Sequence, residues 1–225
     1  MRLINVNTNR NAFKMKSNFS EYNPDTILIQ EWNDHKKDRS AEASEKFSEY
    51  PYIAATRYLL TLSQSPFQII HSADRILATR NSFGIIINSY SPASSGKLRR
   101  EHLEKLNSLI HSFDEAPILI AGDFNMAPQP KDGWYGDEHS KFTSKSERRI
   151  FENLLEEQRI EDLGSKIDWE ATFEKMNRGK LNSFRCDLAL VKSNELKSWN
   201  LKYDHDYRKK KGMSDHSALI LEYEV

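Results

Sequence analysis

Cysteine is nearly absent from this chain of 225 residues, which contains Cys186 alone. A single thiol excludes an internal disulfide framework and is typical of a reducing compartment, so we expect a cytoplasmic protein. The Cys and His residues are too scattered for a structural zinc site. An apolar span of membrane length and a secretory leader are also missing, since MRLINVN reaches asparagine almost at once. We therefore expect a protein that does not act at a membrane.

Net charge is absent as well, because 33 Lys and Arg residues balance 33 Asp and Glu residues. Total charge thus gives no sign of a polyanionic partner, and evidence for one must come from where the charges lie. No internal repeat, low-complexity tract or long Gly/Pro linker divides the sequence, so we predict one domain over residues 1–225, and we expect it to be monomeric. With 38% hydrophobic and 11% aromatic residues, the chain can form a sizeable core.

Short apolar runs of strand length dominate both halves of the sequence. RLINVN and TILIQE are predicted strands, a closely spaced series follows between residues 52 and 90, and PILIAG has the pattern of a central strand. Four more predicted strands lie near the end: ATFEKM, SFRCDLALV, SWNLKYD and SALILEYEV. Residues 97–113 show helical spacing of apolar side chains, and Ser144 with Glu147 has capping-box spacing before a second helix. The pattern favours an α+β fold in which two stacked sheets carry helices on their outer faces.

Polar side chains recur at the ends of these predicted strands. The run APILIAGDFNMAP at 116–128 ends in Asp123 and Asn125. The other members of the set are Asn5, Asn7, Glu31, Tyr90, Asp187, Ser214, Asp215 and His216. Short polar residues commonly cap helices or form turns, and any one member could do so. Asp187 differs, because an unpaired carboxylate inside an apolar strand costs several kcal/mol and needs a partner such as an imidazole.

Taken together, these motifs resemble those of the endonuclease/exonuclease/phosphatase superfamily, and within it the exonuclease III and abasic-site endonuclease branch. INVN is similar to the opening strand of that family, ILIQE to its metal-binding glutamate strand, and GDFNMAP to its central signature. SFRCD is similar to the segment with its buried aspartate, and GMSDH to its terminal Ser-Asp-His. Order and approximate spacing match from residue 4 to residue 220. The resemblance implies a four-layer α/β-sandwich, with two mixed β-sheets packed face to face and helices on the outside.

The resemblance also implies a metal site. Glu31 would bind a divalent cation, Mg²⁺ or else Mn²⁺, with Asn7 and Asp215 nearby. Asp123, held by Asn5, would lie beside the nucleophilic water or the leaving oxygen. A hard cation on carboxylate oxygens would neutralise charge on a phosphodiester, and Mg²⁺ typically uses only one or two protein carboxylates.

Further roles follow from the same resemblance. Asn125 would hydrogen-bond the scissile phosphate. His216, oriented by Asp187, would contact a non-bridging oxygen or assist proton transfer. Tyr90 matches the tyrosine of the abasic-site branch. The chain departs from that branch at Ala93, where the abasic-site enzymes carry an amide, so phosphodiesterase chemistry is implied while abasic-site incision stays open.

Basic residues are unevenly placed along the chain. Arg99 and Arg100 follow the Tyr90 loop, and Lys209 and Lys210 precede the terminal Ser-Asp-His. Such runs can be merely solvated faces, but both of these adjoin segments assigned to the site. They are therefore candidates for phosphate contacts with nucleic acid, and DNA is the expected partner.

Two aromatic residues are further candidates for substrate contacts. Trp134 lies in a polar loop after the central signature, where it could stack on a base or pin the loop to the body. Phe184 resembles an aromatic that lines the abasic-sugar pocket of the abasic-site branch, and it could also pack in the core as a strand residue.

Three functional hypotheses follow. The main one is a Mg²⁺-dependent phosphodiesterase that hydrolyses the nucleic-acid backbone, as a DNA nuclease of exonuclease III or AP-endonuclease type. The second keeps the chemistry and changes the substrate to RNA, a phospholipid or a small phosphate ester. The third is a non-catalytic binding module, which would be expected to lack the site residues that this sequence retains.

Overall fold

Two six-stranded sheets lie at the centre of the protein, whose computed structural model describes residues 1–33, 39–209 and 213–224. In spatial order, the first sheet contains β15 (Trp199–Asp204), β16 (Ala218–Tyr223), β1 (Arg2–Asn7), β2 (Thr26–Gln30), β4 (Leu59–Ser63) and β3 (Tyr52–Ala55). The second contains β11 (Ile160–Asp162), β14 (Asp187–Lys192), β8 (Leu119–Asp123), β7 (Gly84–Tyr90), β6 (Ile76–Asn81) and β5 (Gln68–Ala73).

A smaller sheet and a set of helices complete the fold. The small sheet contains β10 (Glu138–His139), β9 (Gly133–Tyr135), β13 (Lys180–Phe184) and β12 (Phe173–Asn177). The helices are α1 (Lys16–Ser20), α2 (Ser40–Lys46), α3 (Gly96–His111), α4 (Lys145–Gln158) and α5 (Asp206–Lys209). Short 3₁₀ turns occupy Ala12–Lys14, Pro130–Asp132, Leu163–Lys166 and Ser193–Ser198. Within the described ranges, no helix combines the length and the apolar character needed to span a membrane.

Apolar side chains on alternating strand positions build three adjoining cores. Leu3 of the first sheet and Ile86 of the second pack together between the two sheets. On the outer face of the first sheet, Ile27 packs in a cluster with Phe47, which follows α2. On the outer face of the second sheet, α3 and α4 pack through residues such as Leu106. The order helix, sheet, sheet, helix confirms the predicted four-layer α/β-sandwich.

Strand direction brings the polar strand ends to one end of the sandwich. β1 runs parallel to β2, and β7 runs parallel to β8, while the other ladders of both large sheets are antiparallel. Asp123 at the end of β8 is in register with Tyr90 at the end of β7 and with Asp187 at the start of β14. The two sheets pack face to face, so these positions converge on the end of β1.

The predicted continuous strand SFRCDLALV is wrong as a single element. Lys180–Phe184 belongs to the small sheet, and Asp187–Lys192 belongs to the second large sheet. The chain changes sheets at Arg185, whose side chain is buried and pairs with Asp132 at 2.9 Å and with Asp162 at 2.8 Å. A buried guanidinium needs such partners. Its two ion pairs lie at the point where the chain leaves the small sheet and enters the second large sheet.

Candidate active site

Four polar side chains meet where β1, β2, β7 and β8 end. The Nδ2 of Asn7 donates hydrogen bonds to Oε1 of Glu31 at 3.1 Å and to Oδ2 of Asp123 at 2.9 Å. The hydroxyl of Tyr90 donates to the same Glu31 oxygen at 2.6 Å. Glu31 follows a strand of the first sheet and Asp123 ends a strand of the second. Their carboxylates nevertheless lie within two hydrogen-bond lengths of each other.

Unusual backbone geometry presents these groups. Glu31 and Asn125 have φ angles of 47° and 49°, in the left-handed region that is unfavourable for residues other than glycine. Gly122, directly before Asp123, allows β8 to lie close to β7. A Cβ at Gly122 would lie 1.8 Å from the carbonyl oxygen of Ser89. The chain therefore accepts local strain at the two positions where polar side chains leave the strands.

Asn125 holds the Asp123 carboxylate in place. Its backbone N–H donates to Oδ1 of Asp123 at 2.8 Å, and its Nδ2 donates to Oδ2 at 3.0 Å. The same Nδ2 donates to the carbonyl oxygen of Ser91 at 2.9 Å. Asn125 thus uses its amide hydrogens within the protein, and here it orients Asp123.

The imidazole of His216 lies on the other side of Asp123. Its Nδ1 is 2.9 Å from Oδ2 of the buried Asp187, which fixes the ring and leaves Nε2 facing the site. Nε2 lies 3.9 Å from Oδ2 of Asp123 and 4.0 Å from Oδ1 of Asp215. The Asp187 carboxylate therefore has the imidazole partner that the sequence predicted, and that partner is His216.

Buried charges shift the pKa values in this cluster. Burial raises the pKa of Asp123 to about 7, although the charge of His216 opposes this. Burial alone would lower the pKa of His216, but the carboxylates of Asp187 and Asp123 raise it to about 10. Burial, together with the charge of Glu31, raises the pKa of the Tyr90 hydroxyl. At neutral pH the site holds a charged imidazole, a neutral phenol and a carboxyl at Asp123 that can gain or lose a proton.

The acidic groups form a site suited to a divalent cation. The hydrogen bonds to Glu31 in the described residues fall on Oε1, so Oε2 is open to a ligand. Asp215 is partly exposed nearby, and hard cations of the Mg²⁺ type need few protein carboxylates because waters complete their shell. A second group of potential ligand atoms, on Asp123, Cys186 and His216, lies within 4.8 Å of one another. Its thiol is a soft ligand and fits a hard cation less well than the Glu31 carboxylate does.

The two asparagines of β1 have different roles from those that the resemblance implied. Asn7, expected near the metal, bridges the carboxylates with Nδ2, while its Oδ1 accepts from the backbone N–H of Asn9 at 2.9 Å. Asn5, expected to hold Asp123, does not reach it. Its Oδ1 accepts from Nε2 of Gln30 at 2.8 Å, and its buried Nδ2 has no hydrogen-bond partner among the described residues. Asn5 lies two residues deeper on the same face of the strand, so only Asn7 reaches the strand end.

Arg99 does not lie on a substrate-facing surface, contrary to expectation. Its side chain is buried and its Nε donates to Oε1 of Glu147 at 2.6 Å. The guanidinium also donates to the carbonyl oxygens of Ala93 and Phe142, and it lies over the Phe142 ring at 4.2 Å. A side chain so enclosed cannot contact a nucleic-acid phosphate. The neighbouring Arg100 is partly exposed.

The aromatic candidates divide according to the faces of the small sheet. Trp134 packs on His139 with ring centroids 4.2 Å apart, and its Nε1–H donates to the Lys131 carbonyl, so it pins the loop. Its neighbour Tyr135, which belongs to the same predicted loop, points to the opposite face and lines a cavity beside His216. Phe184 lines the same cavity and also packs in a small core cluster.

One of the two remaining basic candidates lies at the end of α5. Lys209 is the last residue of that helix and is exposed. Lys210 lies outside the described residues.

Sequence reasoning gave no role to Ser214, whose hydroxyl donates to the carbonyl oxygen of Asn7 at 2.6 Å and accepts from the N–H of His216 at 3.0 Å. Ser214 thereby ties the terminal Ser-Asp-His to β1, and its place beside two site residues was the available signal.

Comparisons with known proteins agree with this geometry. A family model described as Endonuclease-reverse transcriptase matches residues 84–220, more than half of the chain. No curated protein sequence matches the chain. An AP endonuclease from Archaeoglobus fulgidus is 20% identical, with a TM-score of 0.80 and 100% of both chains covered. The 3′-5′ exonuclease NExo from Neisseria meningitidis is 19% identical, with a TM-score of 0.76 and 100% of both chains covered.

A third similar structure is the 3′ phosphatase NExo from Neisseria bound to product DNA hairpin, which is 19% identical, with a TM-score of 0.73 and 100% of both chains covered. At these identities the likeness to solved structures shows a shared fold. The matched family model and the convergent side chains show more, and they confirm the resemblance drawn from the motifs. The chain belongs to the endonuclease/exonuclease/phosphatase superfamily.

Proposed function

We propose that this protein is a Mg²⁺-dependent phosphodiesterase that hydrolyses the nucleic-acid backbone, and that its substrate is DNA, as in the exonuclease III and AP-endonuclease branch. The observation that carries the proposal is the Asn7 bridge, in which one amide joins Glu31 to Asp123. Beside it, the paired His216 supplies a positive charge. Structures of similar fold are described as an AP endonuclease and a 3′-5′ exonuclease, and one is bound to product DNA hairpin, which supports DNA.

The chemistry requires neutralisation of charge around one phosphorus centre. Attack by water adds negative charge to phosphate oxygens that already carry one, and fixed positive groups stabilise that charge. A Mg²⁺ ion held by Glu31 and Asp215 would supply Lewis-acid stabilisation of the phosphate. Asp123, with a pKa of about 7, accepts the proton of the attacking water. The Nε2–H of charged His216 donates a hydrogen bond to a phosphate oxygen.

Three neutral side chains position these groups. Tyr90 and Asn7 both donate to the Glu31 carboxylate, and Asn125 donates to Asp123. Each donor is anchored in a strand or at a strand end, so the carboxylates keep their orientation before substrate arrives. Such preorganisation lowers the barrier because the groups need not rearrange during the reaction.

An exposed hairpin next to the site supplies positive charge for the DNA backbone. The hairpin carries Lys175 on β12, Lys180 on β13 and Arg178 in the turn between them, all of them exposed. The hairpin adjoins the site through a β-bridge between Phe173 and His216. Lysine and arginine contacts to phosphates provide most of the sequence-independent affinity for DNA. The partly exposed Arg100 and the exposed Lys209 are further candidates.

A cleavage panel tests the proposal. Purified protein is incubated with abasic-site, nicked and intact duplex DNA and with matching RNA, in Mg²⁺ or in EDTA. We expect metal-dependent cleavage of DNA that EDTA abolishes. Asp123→Asn should lower kcat by about 10²–10³ or more while DNA binding in EDTA is retained. Asp114→Asn changes an exposed aspartate that precedes the start of β8, at the opposite end of the strand from Asp123, and serves as the matched control.

Two results would overturn the proposal. One is the absence of metal-dependent cleavage of every nucleic acid in the panel. The other is hydrolysis of a small phosphate ester with DNA left intact, which would assign the same chemistry to a different substrate class. Equal rates for Asp123→Asn and the unmodified protein would refute the role of Asp123 alone.

A further inference from the structure

A cavity of about 410 Å³ opens beside His216 and Asn125, next to the position of the scissile phosphate. Four aromatic side chains line it, namely Tyr135, Phe142, Phe173 and Phe184. None of them takes part in the proposed phosphate chemistry. With the scissile phosphate at the proposed site, the cavity lies beside that phosphate and is open to the nucleoside attached to it.

The register of the small sheet builds this lining. Tyr135 is in register with Asn182, and Phe173 is in register with Phe184, so these residues share one face of the sheet. Gly133 keeps the floor compact, because a Cβ there would lie 2.8 Å from the Phe184 ring. The aromatic face is thus a built feature of strands β9, β12 and β13.

The volume of the cavity exceeds that of a sugar. A deoxyribose ring fills roughly 130 Å³, about four times the share of one water in the liquid. A whole nucleoside fills roughly twice that volume, and small-molecule sites typically begin at about 300 Å³. A cavity of about 410 Å³ accommodates a base together with its sugar, and a base-free sugar would leave most of the aromatic surface uncovered.

Two amides face the same space. The side chains of Asn177 and Asn182 line the cavity, and within the described ranges neither makes a side-chain hydrogen bond to the protein. An amide offers one acceptor and two donors, which is the complement that a base edge requires. Aromatic rings below and free amides beside them match the way in which proteins hold an unstacked base.

We propose that the cavity binds an intact, unpaired nucleobase, the base of the nucleotide esterified at the scissile phosphate, with Asn182 and Asn177 as specificity-determining residues. This inference rests on the proposed function and names its substrate class, which is DNA with an unstacked base at the cleavage position. The base stacks against the aromatic lining, and Asn182, in the middle of β13, hydrogen-bonds its edge.

A matched pair of duplexes tests the rate. Both carry the same sequence, one with a mismatched base at the cleavage position and the other with a tetrahydrofuran abasic analogue there. We expect kcat/KM to be at least about tenfold higher for the duplex with the mismatched base than for the abasic duplex, because the base stacks and forms hydrogen bonds along one edge. Asn182→Leu, similar in size, should lower kcat/KM for the base about 10-fold or more and leave the abasic substrate unchanged. Asn200→Leu, at an exposed position on β15, is the control and should change neither.

A binding measurement without turnover separates this inference from the proposed function. Fluorescence anisotropy of the same two oligonucleotides in EDTA should show at least about tenfold tighter binding of the base, reduced by Asn182→Leu. Ser140→Phe, which fills the cavity from another wall, should abolish the preference and spare the abasic oligonucleotide. Equal affinities for both oligonucleotides, or an Asn182→Leu effect of the same size on both, would overturn the inference. Absence of cleavage with the binding preference intact would instead count against the proposed chemistry.

Discussion

Arg99→Met is the substitution that most sharply separates a structural role from a DNA-binding role. The sequence places Arg99 in a basic run beside the site, but its side chain is buried against Glu147 at 2.6 Å. Glu147 also accepts from the backbone N–H and the hydroxyl of Ser144 at 2.8 and 2.6 Å, as part of the cap of α4. The ion pair therefore joins α3 to the first turn of α4.

The expected loss of stability is large. Removing one partner of a buried ion pair leaves the other charge uncompensated and costs about 3–5 kcal/mol. Arg99→Met also removes hydrogen bonds to the carbonyl oxygens of Ala93 and Phe142. For a chain of this length, each kcal/mol shifts Tm by about 2–4 °C, so we expect a fall of about 6–20 °C.

A double-mutant cycle measures the pairing itself. Glu147→Gln alone should also be destabilising, because it leaves the guanidinium unpaired, although glutamine can keep the capping interaction with Ser144. The double variant Arg99→Met/Glu147→Gln should recover most of the loss, because neither charge then remains. Urea unfolding of the four proteins at pH 7 gives the coupling energy directly.

The salt dependence of DNA binding supplies the opposing test. Loss of one phosphate contact reduces the slope of log K against log salt by about 0.9. If Arg99→Met reduced that slope and left the unfolding free energy unchanged, the guanidinium would contact DNA. The proposed stabilising role of the ion pair with Glu147 would then be refuted. Arg100→Met, at the partly exposed neighbour, is the matched comparison.

Three further predictions follow from the described contacts. Burial lowers the pKa of His102 to about 4. Between pH 6.5 and pH 4, His102 therefore binds a proton in the unfolded chain and stays neutral in the native state. The contribution of His102 to stability should therefore fall by about 1.4 kcal/mol per pH unit between pH 6.5 and pH 4. The difference in unfolding free energy between the unmodified protein and His102→Gln should change with that slope in urea unfolding, because the raised pKa of Asp123 acts equally on both proteins. Gly122→Ala should destabilise by about 3 kcal/mol or more, measured by the same assay, because its Cβ would overlap the Ser89 carbonyl. Asp187→Asn should lower kcat on DNA by about 10²–10³ with KM little changed, because His216 would lose its charge and its orientation; an unchanged kcat would show that the buried pair has no part in turnover.

The layered fold was predictable because its signals are local and repeated. Strand-length apolar runs and the capping box at Ser144 depend on neighbours in sequence, and the cap is present as predicted, with Glu147 completing it. The polar residues at strand ends were also predictable as a group, because strands of one sheet end at common edges. Their side chains do converge, because the side-chain amide of Asn7 donates to both Glu31 and Asp123.

The face of a strand on which a residue lies, and the distance of that residue from the strand end, were not predictable from one sequence. Asn5 and Asn7 share a face of β1, and only the length of the strand beyond the core decides which one reaches Asp123. Trp134 and Tyr135 lie on opposite faces of a three-residue strand, and only its pairing with β13 decides which ring faces the site. Similarly, the burial of Arg99 depends on a glutamate 48 positions away.

Two buried arginines explain how loops outside the main sheets keep a defined cavity. Arg99 donates to the carbonyl oxygens of Ala93 and Phe142, two residues of the cavity wall. Arg185 makes two hydrogen bonds to Asp132, at 3.0 and 2.9 Å, directly before the strand that carries Tyr135.

Hydrophobic burial is nondirectional, whereas the planar guanidinium fork fixes both distance and angle, so these pairs add directional contacts to the aromatic packing of the cavity walls. Because their donors are turned inward, neither arginine can neutralise a DNA phosphate. For the proposed DNA substrate, contacts with the backbone would then come from exposed side chains such as Lys175 and Lys180 on the neighbouring hairpin.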